Sequence, residues 1–332
     1  MARTFAGLAA AAALLCATAL GASGVASAAE VTLKAVSAFP KTLNFTQSFL
    51  RYVDKVNAAG KGVVQITYVG GPEAIPVTEQ PTALRNGVFD IHYGPTGYYA
   101  GQFPEGDALF GSNMTPWEIR ETGGMQMLAD AFETRMSAHL LGWFDGGISV
   151  ALYLREAPAR TADGGIDLSG KKMRAAPSYR ELMSSLGATN VMIQAPEIYT
   201  SLERGLVDGV VWPVVGAPDL GWHKFVKYRV EPTVNQVEIV ALVNLAKWNG
   251  LSKEAQDILT KAAIEHERES YAFFQDLQKS ERQMLIDGGI EIIELQGAAA
   301  DAYVDTAVNS AWKRLDERAP AFAAEAKDKF VH

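Results

Sequence analysis

Two segments in opposite halves of the chain repeat one order of residues, and that order limits the folds open to it. In the first, Glu79-Gln80-Pro81-Thr82-Ala83-Leu84-Arg85-Asn86-Gly87 leads into Val88-Phe89-Asp90-Ile91-His92-Tyr93. In the second, Pro196-Glu197 through Leu202-Glu203-Arg204-Gly205 leads into Leu206-Val207-Asp208-Gly209-Val210-Val211-Trp212. Both read as helix, glycine stop, strand, with the shared spacing Leu-x-x-Gly-x-x-Asp. Glycine accepts the left-handed conformation that ends a helix, and an unbroken apolar run suits a parallel strand covered on both faces. Helix–Gly–strand units recur throughout α/β proteins, so coincidence competes with the reading of one such unit per lobe.

The rest of the chain alternates in the same way. Val31 to Val36 reads as a first strand, Asn44 to about Ala58 as a helix closed by Gly60, and Val63 to Val69 as a second strand broken by Gly70-Gly71-Pro72. Ser178 and Glu181 have capping-box spacing for a helix ending at Gly187, with Val191-Met192-Ile193 as the strand after it. From Ser252 a helical pattern runs to about Asp287, where Gly288-Gly289 stops it. At 1.5 Å per residue that helix is about 50 Å long, enough to run across two lobes. A strand from Ile290 to Leu295 and a helix from about Ala298 to Glu317 follow. Alternating strands and helices predict an α/β chain, and its length exceeds one comfortable core, so two lobes are expected.

The N-terminus has the pattern of an export signal. Arg3, an apolar run from Phe5 to about Ala22, and Ala26-Ser27-Ala28 supply the basic start, hydrophobic centre and small-residue cleavage site, with cleavage expected after about Ala28. A signal anchor is the competing reading; the alanine-rich run ending in a processing site argues against it. Cys16, the only cysteine, lies in this segment, and the bulky Leu14 and Leu15 before it argue against lipidation. The remainder has no thiol and no further apolar run of membrane-spanning length, which predicts an exported chain without direct membrane insertion. Its formal net charge of −8 becomes one unit more negative once Arg3 is gone, and so acidic a surface argues against nucleic acid as a partner.

Against that acidic field a well-placed cation stands out. Leu168-Ser169-Gly170-Lys171-Lys172-Met173-Arg174 ends a short strand on an arginine, and Ala175-Ala176-Pro177 leads to a helix start. A guanidinium holds a carboxylate through two parallel hydrogen bonds, and the free N–H groups of a helix start add positive potential. An ordinary salt bridge is the bland alternative for Arg174. Enzyme patterns are weak. His266-Glu267-Arg268-Glu269-Ser270 begins like a zinc-protease helix, but Ser270 stands where the second histidine must fall. There is no phosphate loop, no dinucleotide glycine fingerprint, and no ligand spacing among the five histidines.

Leu168 to Arg174, the Gly187-Ala188 turn, Glu197-Ile198-Tyr199 and Leu202-x-x-Gly205-x-x-Asp208-Gly209, with the long late helix, resemble the signature region of TRAP transporter solute-binding proteins. The resemblance covers essentially the whole chain after the signal. It implies a two-lobe periplasmic-binding-protein-like fold, each lobe a mixed, mostly parallel sheet flanked by helices. Lobe I would comprise 29–151 with about 240–280, and lobe II 152–239 with about 281–332, the helix 253–287 crossing both. It further implies a periplasmic receptor, not an enzyme, that closes around a small organic acid and delivers it to membrane permease subunits, with the arginine matching Arg174 on the ligand carboxylate.

The chain departs from the family where relatives are often polar. After Asp208-Gly209 it reads Val210-Val211-Trp212-Pro213. The resemblance places Trp212 at the cleft, where its ring favours an apolar or aromatic ligand body and its N–H can donate; a core tryptophan at the lobe junction is the alternative. Val211 cannot coordinate a cation, so neither a metal-assisted mode nor a cofactor is expected. Strand exits supply further cleft candidates in Phe39, Glu73, Tyr93 and Tyr98. Structural roles compete: Phe39 as a staple, Tyr98 as packing under a loop, Glu73 as a cap or a solvent-facing group. Two rival functions are the binding component of an ATP-driven importer and a periplasmic hydrolase or isomerase of a carboxylic acid, with Glu73 or His92 as base.

Overall fold

Phe45, Phe49, Tyr52, Val53 and Val56 recur at helical spacing along Asn44–Ala59, and all five are buried. They form the face that docks this helix on a sheet. The computed structural model describes residues 29–332, so the predicted signal segment with Arg3, Cys16 and the cleavage after Ala28 lies outside the described residues.

In chain order the strands are β1 (Val31–Ser37), β2 (Val64–Gly70), β3 (Ile91–Pro95), β4 (Ala138–Trp143), β5 (Ser149–Leu154), the short pair β6 (Ala159–Arg160) and β7 (Ile166–Asp167), β8 (Lys172–Arg174), β9 (Thr189–Val191), β10 (Gly209–Pro213), β11 (Tyr228–Glu231), β12 (Val234–Gln236), β13 (Ile239–Asn244) and β14 (Glu291–Glu294). One sheet has the order β2-β1-β3-β13-β4, parallel through β2-β1-β3 and antiparallel on either side of β13. The other runs β14-β11-β5-β10-β8-β9, with β12 also on β5; it is antiparallel where β5 meets its neighbours and parallel elsewhere. The result is two mixed α/β lobes. The chain crosses between the sheets at 144–148, again at 237–238, and a third time along the helix Lys253–Asp287.

The repeated Leu-x-x-Gly-x-x-Asp spacing is one device used twice. Gly87 and Gly205 take φ of 71° and 67°, the left-handed stop that glycine permits. The Asp90 carboxylate then accepts from the Lys34 N–H while the Asp90 N–H donates to the Lys34 carbonyl, each at 2.8 Å. Asp208 makes the same pair with Lys172, also at 2.8 Å each. Each aspartate therefore locks the entry of one strand (β3 or β10) onto its parallel neighbour (β1 or β8). The strands start later than the apolar runs suggest, because Val88 and Leu206 belong to the turn and are 60% and 57% exposed.

The long helix is anchored on both lobes. Ser252 caps it by accepting from the Ala255 N–H at 3.2 Å. On the first lobe Glu267 receives Arg120 at 2.7 and 2.8 Å and the Trp143 N–H at 3.0 Å. At the first crossing Ser270 Oγ accepts from the Asp145 N–H, and on the second lobe Arg282 grips Glu231 at 2.8 and 2.9 Å. The zinc-protease-like run is thus a structural network: His266 lies against Ser48 at 3.3 Å, and burial drives its pKa down to about 3.

Glu281, further along this helix, accepts from the Gly216 N–H at 2.8 Å and is buried, which raises its carboxyl to about 7. In the unfolded chain the same group ionises near its ordinary value, about 4.3. Between those two values the folded form therefore holds a proton that the unfolded form has lost, and stability falls as pH rises through the window. Glu281→Gln keeps the acceptor for Gly216 and escapes this loss. Thermal unfolding of the variant should gain on the native protein between pH 5 and pH 8, by on the order of 2 kcal/mol. A difference that does not change with pH would show that Glu281 is not buried as described.

Two expectations give way to long-range contacts. Ser178 and Glu181 form no capping box: a 3-10 turn at Pro177–Tyr179 opens a short helix, Arg180–Ser185, with no side-chain cap. Glu181 instead takes Arg314 at 2.7 Å, and the same guanidinium holds Asp107 at 2.7 and 3.0 Å. The segment 281–332, expected to complete lobe II, divides. β14 joins the second sheet, whereas Pro320–Phe330 packs Ala323, Ala326 and Phe330 with Leu128 and Phe132 over the first sheet. No helix among the described residues is long and apolar enough to cross a membrane.

Candidate functional site

Strand exits of both sheets and the second crossing converge on one small cavity between the lobes. Phe39, Pro95 and Tyr98 line it from the first lobe, and Arg174, Tyr179, Val211 and Trp212 from the second. Glu238, in the crossing segment between β12 and β13, closes the wall between them. A small cavity set between two lobes suits a compact metabolite rather than a polymer.

Arg174 ends β8 and is 2% exposed. Its Nε donates to the Ile193 carbonyl at 2.8 Å, one terminal nitrogen to the Val211 carbonyl at 3.3 Å, and the other to the Tyr98 hydroxyl at 3.4 Å. The guanidinium carbon stands 5.0 Å from the centre of the Trp212 ring, which packs against it. A guanidinium has five N–H groups, so one on each terminal nitrogen is left without an acceptor among the described residues. Nor does any carboxylate among them pair with Arg174, which removes the ordinary salt bridge as its explanation. A buried cation lacking an anion is costly, and a carboxylate ligand is a chemically complete solution.

Trp212 answers to both readings made of it. It is 2% exposed and packs against Phe39 and Trp222, yet its ring also faces the cavity. Its indole N–H donates to the Val215 carbonyl at 3.1 Å and is therefore occupied, contrary to the expectation that it would be free for a ligand.

Phe39 and Tyr98 reach the cavity; Tyr93 and Glu73 do not. Tyr93 is fully buried, stacked on Phe49 with its hydroxyl donating to Asp145, so its side chain is spent in the core of the first lobe. Glu73 is exposed and caps the tight turn after β2 by accepting from the Gly71 N–H at 2.7 Å. His92, the rival catalytic base, is buried against Gln80 at 3.1 Å, and burial pushes its pKa down to about 3. Neither base candidate reaches the cavity.

Tyr179 and Glu238 line the cavity without having been anticipated. Glu238 did leave a signal: Val237-Glu238-Ile239-Val240-Ala241-Leu242-Val243 is an apolar run carrying one carboxylate, and such a residue needs either a partner or a purpose.

Residues 40–318 match the bacterial extracellular solute-binding protein family 7, the DctP family. The chain belongs to that family. Its members are solute receptors of TRAP transporters rather than enzymes. A monocarboxylate 2-oxoacid-binding periplasmic protein of Nostoc sp. is 24% identical over 325 residues, covering 88% of this chain and 84% of the relative. A TRAP solute-binding protein of Bordetella bronchiseptica, solved with calcium and picolinate at its site, superposes with a TM-score of 0.78 at 22% identity over 91% of each chain. A marine-metagenome TRAP solute-binding protein in complex with 3-hydroxybenzoate has a TM-score of 0.72 at 23% identity, over 91% of this receptor and 98% of that chain.

Proposed function

We propose that this receptor captures a small organic monoacid with an apolar or aromatic body, the carboxylate on Arg174 and the body against Trp212, Phe39 and Tyr98, and hands it to the membrane permease subunits of a TRAP transporter. The observation that carries this is the buried, unpaired guanidinium of Arg174 with one unused N–H on each terminal nitrogen, the pattern a carboxylate fills bidentately. The ring carboxylates bound by two similar proteins support an acid with a flat body. The receptor works in the periplasm after loss of its signal segment.

Closure follows from where the contacts lie. Arg174 and Trp212 belong to lobe II, Phe39 and Tyr98 to lobe I, so a ligand touches both only when the lobes meet, and that differential contact shifts the open–closed balance. A thermal-shift screen of monocarboxylates, dicarboxylates and sugar acids tests the reading. An acid at a hundredfold its dissociation constant adds about 2.7 kcal/mol and raises the melting temperature. Aromatic and branched monoacids should lead the ranking. A panel in which no carboxylate raises the melting temperature would refute it.

A further inference from the structure

Glu238 is a second buried polar anchor in the same cavity, and with Arg174 it is one of the two charged residues in the lining. It is 6% exposed, and its Oε1 accepts from the Gly97 N–H at 2.9 Å. Oε2 has no hydrogen-bond partner among the described residues, and no lysine, arginine or histidine there forms an ion pair with the carboxyl. Its place is enforced: a side chain on Gly97 would begin 2.5 Å from Oε1 and 2.8 Å from Ser178 Oγ, a buried hydroxyl that itself lacks a partner. The segment 237–238 is the second crossing between the sheets, so Glu238 stands where both lobes meet the cavity.

We propose that Glu238 makes the receptor selective for monoacids that carry a hydrogen-donating group on the body, an O–H or N–H that donates to Glu238 while the carboxylate sits on Arg174. The inference rests on the carboxylate reading of Arg174. Two anchors in one small cavity fix the ligand at both ends, so an acid with a bare hydrocarbon body leaves a buried carboxyl oxygen without a partner, and that omission is penalised far more than a missing contact between apolar surfaces. Burial raises the Glu238 carboxyl to about 7, so near neutral pH the ionised form, whose Oε2 accepts, is reached at little cost. Val211 in the same lining offers only its backbone, already accepting from Arg174, and no three His, Cys, Asp or Glu side chains among the described residues cluster where they can share a cation. The carboxyl is thus arranged to meet the ligand itself.

Calorimetry on the purified receptor with matched pairs decides the matter: 3-hydroxybenzoate against benzoate, and pyroglutamate against cyclopentanecarboxylate. The native protein should favour the donor-bearing member of at least one pair by about tenfold or more. Glu238→Gln retains an acceptor for Gly97 and presents an NH2 in place of the free oxygen, so the ratio should collapse to within about threefold while the melting temperature without ligand is not lowered. A native protein that binds the bare acids as tightly, or a Glu238→Gln variant that keeps the preference, overturns the inference and leaves the Arg174 reading standing. Binding abolished by EDTA and restored by calcium overturns it as well, since Glu238 would then serve a cation. Undiminished affinity in Arg174→Ala sinks the carboxylate reading instead, and a native protein that takes neither member of either pair sinks both.

Discussion

Replacing Arg174 with alanine should raise the dissociation constant for the receptor's acid by about 100-fold or more. The pair it removes is charge-assisted and bidentate, and at a site 2% exposed it lies out of water, where truncating one partner costs on the order of 3 kcal/mol. The loss is geometric as well as electrostatic. Three of the five N–H groups are tied to Ile193, Val211 and Tyr98, and Trp212 packs against the guanidinium, so the plane of the fork is set before a ligand arrives. Arg174→Lys should therefore recover little of the affinity, because an ammonium restores charge without the two parallel donors. Calorimetry with the tightest acid from the thermal-shift screen measures both variants. Affinity in Arg174→Ala within about threefold of native would remove Arg174 from the site, since a desolvated bidentate pair cannot be worth so little.

Glu267→Ala should be the most damaging single change to stability, lowering it by about 3–5 kcal/mol. The carboxylate is 1% exposed and takes two bonds from Arg120 and one from the Trp143 N–H. Truncation leaves the buried Trp143 N–H without an acceptor and the Arg120 guanidinium with only the Leu141 carbonyl, and it removes this tie between the long helix and the first lobe. Glu267→Gln should cost clearly less, because an amide oxygen still serves Trp143 or one arm of Arg120. Chemical denaturation of both variants checks the order. Native stability in Glu267→Ala would mean that the pair is replaceable by water and that the helix is held by apolar contacts alone.

These two residues illustrate different degrees of legibility. Arg174 was readable because everything that marks it is local: a strand end, a helix start, and a positive charge in an acidic chain. Glu267 was visible only as part of a run that looked catalytic, and its purpose depends on Arg120 and Trp143, more than a hundred positions away. Ser178 and Glu181 show the same limit from the other side. Their spacing suits a local cap, yet Arg314 from a distant helix offers Glu181 an ion pair, and the cap does not form. Tyr93 and Glu73 were expected at strand exits, but Tyr93 lies in the middle of β3 and is taken by the core, and a tight turn claims Glu73.

Periodicity, glycine stops and the twice-used aspartate were sufficient to establish alternating strands and helices in two units, a long helix spanning them, and an arginine poised at a strand end. All of these depend on neighbours within a few residues, where backbone sterics and local hydrogen bonding dominate. The contents of the cavity depended on how the two sheets meet. Contacts across 237–238, across Arg174 and Tyr98, and around Trp212 arise between segments far apart in the chain, and their strength comes from shared removal from water, which no local pattern encodes.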